Sequence, residues 1–192
     1  MKKAYLYLLI GTILMFFSLG IIALDLIIHI AGYGLMILGM LLILQQRESP
    51  SLLIASQLTI GLLIFELLKV GVARAIMSNT LLSIGFMTLI LITQLAIFYL
   101  IIKSEGEASE SLEVQTYQQA ELLLSIGLLG LYFISYFSTL AFSLFAILNL
   151  CFYFFIVYVF YKLINAFSVP CRFYHIKQLA FCKIVGKSVC AD

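Results

Sequence analysis

From Ala4 to Leu44 the chain runs for 41 residues with only two strongly polar side chains, Asp25 and His29. A single α-helix of that length would reach about 60 Å, twice the hydrocarbon thickness of a bilayer. The chain must therefore fold back inside the run. Its polar groups and glycines place the turn in the stretch Leu24-Asp25-Leu26-Ile27-Ile28-His29-Ile30-Ala31-Gly32-Tyr33-Gly34.

The remaining sequence calls for the same environment. Of 192 residues 64% are hydrophobic and 10% charged, with a mean hydropathy of +1.18. A small soluble domain cannot hide that much apolar surface. The expectation is an all-α polytopic transmembrane bundle of about six helices, with the lipid bilayer as its first partner. Lys2 and Lys3 precede the first apolar run, but no small-residue cleavage site follows, so the run reads as a span rather than a leader. A net charge of +2 is too small to suggest nucleic acid.

In chain order the expected spans are about 4–22, 27–44, 51–70, 81–102, 120–137 and 142–163, which make residues 1–165 a transmembrane domain. Gly11 and Ser18 in the first span, and Gly32 and Gly39 in the second, put small residues on one face, where another helix can approach closely. Gln45-Gln46-Arg47-Glu48-Ser49-Pro50 ends the second span. Along the third, Ser56, Thr59, Leu63 and Glu66 recur at helical spacing as a thin polar stripe. Lys103 to Glu121 is the one extended hydrophilic connection. It reads as a surface helix or an extension of the fifth span, with Ser104 and Glu107 spaced for a capping box. Residues 166–192 form a basic tail.

With the N-terminus inside, nine of the eleven Lys and Arg residues fall on the cytoplasmic side: Lys2, Lys3, Arg47, Lys103, Lys162, Arg172, Lys177, Lys183 and Lys187. Only Lys69 and Arg74 fall outside. That bias predicts cytoplasmic N- and C-termini and a cytoplasmic tail.

The turn region resembles that of an uncharacterised family of six-helix membrane proteins from Gram-positive bacteria of the Firmicutes type. Their turn reads roughly D-x-L-P-D-F-I-G-Y before a Gly-containing apolar helix. Here Asp25 and the pair Gly32-Tyr33 match, while Ile28 and His29 stand where that family has Pro and Asp. The likeness extends over about residues 1–165, through a helix ending in Tyr99-Leu100-Ile101-Ile102-Lys103, an acidic linker and a closing hairpin. It implies a multi-pass protein of a bacterial cytoplasmic membrane and carries no activity.

Asp25, His29, Glu66, Lys69 and Arg74 come from separate turns, yet this topology sets all five towards the outer face. Ionisable groups at membrane depth are costly, so the five form a candidate proton-linked or cation-binding vestibule. The simpler reading, which the sequence favours, has Glu66 pairing with Lys69 or Arg74, and Asp25 and His29 sitting among headgroups. In the tail, Cys171, His175, Cys182 and Cys190 are four candidate zinc ligands. They lack the close cysteine pair that preorganises such a site, so reduced thiols and no metal are expected. Ser56, Thr59, Ser83, Gln94, Ser125 and Asn149 read as hydrogen-bonding glue within and between helices.

No H-E-x-x-H, G-x-S-x-G, Walker or G-x-G-x-x-G pattern occurs. The expectation is a non-enzymatic accessory, sensory or immunity-type membrane component without a cofactor, working with other membrane subunits. The alternative is a small-solute transporter, or a transporter's substrate-binding subunit, with an outward-facing polar site and a small-molecule ligand. The substrate-capturing components of energy-coupling-factor vitamin importers are similar in size and helix number. Their early A-x-x-x-A-like docking motif is missing from the first span here.

Overall fold

The computed structural model describes residues 1–16, 22–77, 80–109 and 112–166; side chains at 22–23, 69–77, 80–82, 109 and 112 fall outside that description. The described residues form six α-helices: α1 (Lys2–Phe16), α2 (Ile22–Leu44), α3 (Pro50–Met77), α4 (Thr80–Ser109), α5 (Leu112–Ser135) and α6 (Thr139–Ala166). The molecule is an all-α bundle, and α2 to α6 are each long and apolar enough to cross a membrane. Consecutive helices pack side by side and α6 returns to α1, so the six close into a ring in chain order. At one end of the ring the Met1 ammonium donates to Gln46 Oε1, in the turn after α2, at 3.1 Å.

The first reversal differs from the expected one. α1 ends at Phe16 and α2 begins at Ile22, so the chain turns before the Asp25–Gly34 stretch and that stretch is helical. The reason is electrostatic as well as steric. Asp25 lies in the first turn of α2, where a carboxylate favours the positive end of the helix dipole. Gly32 and Gly34 are not breaking the helix. Gly32 is instead the point of closest approach to α1: a Cβ there would lie 2.9 Å from the Gly11 carbonyl oxygen, and one on Gly11 would lie 2.7 Å from that of Gly32. Gly39 meets the Ala4 carbonyl in the same way, at 2.8 Å. The glycines expected to mark a helix-packing face do mark one. Ser18 lies outside the described residues.

Caps set the next starts. Ser49 Oγ accepts from the Leu52 N–H at 3.4 Å, with Pro50 following as the first residue of α3, a position that needs no N–H donor. Ser138 plays the same part for α6, accepting from the Ala141 N–H at 3.5 Å. Both α3 and α4 outrun the apolar stretches that announce them. At 30 residues α4 spans about 45 Å, more than the hydrocarbon thickness, and its most polar turns, Lys103 to Ser109, lie at its C-terminal end. The connection expected as a surface helix or an extension of the fifth span is the end of α4 followed by the start of α5, so its second half does extend the fifth helix. Ser104 is not a cap: it is buried in α4 and donates to the Ile101 carbonyl at 2.7 Å.

The ring is filled. Tyr33, Met36 and Met40 of α2, Phe98 of α4, and Phe152 and Phe160 of α6 are fully or almost fully buried. Phe98 reaches across from α4 to α6, its ring 5.9 Å from that of Phe152 and 6.3 Å from that of Tyr153. Phe16 of α1 closes on Tyr153 at 4.9 Å. Such aromatic contacts contribute about 0.5–1.5 kcal/mol each beyond simple burial. The outward surface is apolar too, with Leu123, Ile126, Phe142 and Phe154 among its exposed side chains, as a lipid-facing surface should be.

Candidate functional site

Helix periodicity lines up the polar groups of α2. Asp25, His29 and Tyr33 are spaced four apart, so they descend one face of the helix from its start. Asp25 and His29 are half-buried, whereas Tyr33, near the middle of α2, is only 2% exposed. A buried phenol needs a hydrogen-bond partner. Gln94 of α4 supplies it, donating from Nε2 to the Tyr33 hydroxyl at 3.2 Å. Glu66 of α3 is buried at 6% exposure, with its carboxyl within electrostatic reach of the same phenol. The Tyr153 phenol of α6 lies within electrostatic reach of Tyr33 as well. Four helices thus bring a carboxyl, an amide and two phenols together inside the ring.

Of the five residues expected at the outer face, Glu66 joins this cluster, and Asp25 and His29 stand above it on the Tyr33 face. Asp25 and Glu66 both engage partners. The side chains of Lys69 and Arg74 lie outside the described residues, as do Cys171, His175, Cys182 and Cys190. Among the described residues no three His, Cys, Asp or Glu side chains converge as metal ligands. The polar stripe of α3 faces inward: Ser56, Thr59 and Glu66 are all buried. Ser56 and Thr59 donate to the carbonyls of Leu53 and Ala55 in their own helix, both at 2.8 Å.

Tyr33 and Gln94 are the residues that sequence reasoning did not single out as a site. The spacing of Asp25, His29 and Tyr33 was a usable signal, since it makes one helical face polar over two turns. Nothing in the sequence pairs Gln94 with Tyr33.

A second cluster closes the opposite end. Arg47, in the turn after α2, donates from Nη2 to Glu105 Oε1 in the projecting end of α4. The pair is largely enclosed, at 18% and 3% exposure of the two side chains. The buried Tyr5 phenol of α1 feels both charges. Beside them Ser51 donates to Glu107 at 3.0 Å. This cluster joins α1, the α2–α3 turn, α3 and α4, and it contains charges of both signs. A third polar point lies in α5, where Glu121 is fully buried and accepts from Ser125 at 2.8 Å.

No family model matches the chain, and no curated protein or solved structure is similar to it.

Proposed function

We propose that this protein is a non-enzymatic component of a bacterial cytoplasmic membrane, an accessory, sensory or immunity-type subunit acting through contacts between helices. One observation carries the reading: the ring interior is occupied by close-packed Tyr33, Met36, Phe98 and Phe152. A solute path requires a water-lined or ligand-lined space there, and a filled core favours fixed packing instead. The charges follow the same logic, since Arg47 and Glu105 are locked to each other at the cytoplasmic end.

A second reading rests on the other cluster. Glu66, Tyr33 and Gln94, below Asp25 and His29, have the composition of a polar ligand site reached from outside. It supports a substrate-binding subunit of a transporter. Mass spectrometry of the gently purified full chain separates the two. Bound lipid and partner subunits alone are expected on the first reading. A polar small molecule that disappears in Glu66→Gln and Tyr33→Phe would replace it with the second.

A further inference from the structure

Between α3 and α4 a groove of about 230 Å³ opens on the membrane side, lined by Gln57, Gly61, Phe65, Leu89, Ile90 and Thr93. Gln57, Gly61 and Phe65 are spaced four apart and form one wall along α3. Gly61 deepens it, since a Cβ at that position would meet nothing within 4 Å. The groove is apolar except for two groups. The Thr93 hydroxyl is already committed to the Leu89 carbonyl at 2.8 Å. Gln57 is different. It is exposed, and among the described residues its amide makes no hydrogen bond.

Depth makes that amide costly. Gln57 sits seven residues into the apolar span Pro50–Leu68, about 10 Å along the helix from its start. A glutamine side chain is too short to reach the interface from there. An amide facing hydrocarbon without a partner costs several kcal/mol. An acyl chain in the groove leaves that cost in place. A primary amide is both donor and acceptor, so it is satisfied best by another amide at the same height. A second copy of the chain, inserted with the same orientation, presents that group at that height by symmetry.

We propose that the α3–α4 groove is the contact surface between two copies of this chain, with their Gln57 amides hydrogen-bonded to each other across a two-fold axis along the membrane normal. Gly61, one turn away, lets the two α3 helices approach closely enough for the amides to meet. This surface is independent of the interior clusters, so it stands whichever reading of them holds.

The test uses the full chain in phospholipid vesicles, with Cys151, Cys171, Cys182 and Cys190 changed to serine. Ile64→Cys places a thiol on the Gln57 face of α3, and Leu123→Cys places one on α5; both native side chains are exposed. On oxidation Ile64→Cys is expected to form a covalent dimer and Leu123→Cys is not. Adding Gln57→Leu should weaken dimerisation about tenfold, because two interhelical hydrogen bonds are lost. Gln57→Asn, which keeps an amide, should retain most of the cross-link. The proposal is overturned if Ile64→Cys cross-links no better than Leu123→Cys. It is equally overturned if Gln57→Leu leaves the yield unchanged, or if Ile64→Cys cross-links to a different protein in native membranes.

Discussion

The two ends of the ring handle polarity in opposite ways. At one end Arg47 and Glu105 meet as an ion pair beside Tyr5, where the turn after α2 packs on the polar last turns of α4. Deeper in, Tyr33 and Gln94 meet as neutral groups, with one carboxyl, Glu66, nearby. Removing charge from water costs less near the interface than at mid-depth, so a charged staple belongs at the rim and an amide–phenol bond belongs inside. The rim cluster ties four parts of the chain together. The deep cluster, held by the one hydrogen bond from Gln94 to Tyr33, is expected to contribute less to stability.

That contrast can be broken at four points. Glu105→Ala should have the largest effect, because it leaves the Arg47 guanidinium enclosed without its partner. A loss of about 3–5 kcal/mol is expected in detergent-denaturation titrations, and adding Arg47→Ala should recover part of it. Gly32→Ala comes next. It forces α1 and α2 apart at the 2.9 Å contact with the Gly11 carbonyl, and about 1–3 kcal/mol should be lost in the same titration. Tyr33→Phe removes only the bond from Gln94, so a loss of about 0.5–1.5 kcal/mol is expected with the helical spectrum unchanged. Lys103→Ala should be almost silent, within about 0.5 kcal/mol. Its contact with Glu107 is 3.9 Å long and both side chains are well exposed. If Tyr33→Phe proved more damaging than Glu105→Ala, the division between rim and interior would be wrong.

The helices were legible in the sequence because apolar runs of twenty residues have few other uses, and because Gly11, Gly32 and Gly39 are spaced for close packing. The place of the first reversal was not. Asp25 and His29 are the only strong polar groups in a long apolar run, and polarity alone suggests a loop. A carboxylate in a first helical turn is equally compatible with an N-terminus, and the structure puts it there. Gly32 of that stretch faces α1 rather than a bend, and Gly34 lies within the helix with open space beside it. Glu105 was passed over for a related reason. It sits in a stretch whose composition reads as solvent-exposed, and only the extra turns of α4 carry it into contact with Arg47. The candidate site was half visible. Asp25, His29 and Glu66 stood out because charge is rare at membrane depth, whereas Gln94, legible as interhelical glue, gains its partner only once α4 faces Tyr33 across the ring.

Thiol accessibility across the bilayer tests the filled interior most directly. In the cysteine-free background, Gln94→Cys is probed with a membrane-impermeant thiol reagent from each side of sealed vesicles, with Ser138→Cys and Gln46→Cys as references at the two ends of the ring. The packed ring predicts that both references label, each from its own side, while Gln94→Cys stays unlabelled from either. Rapid labelling of Gln94→Cys from the outside would contradict it and reveal a water-lined path to the deep cluster.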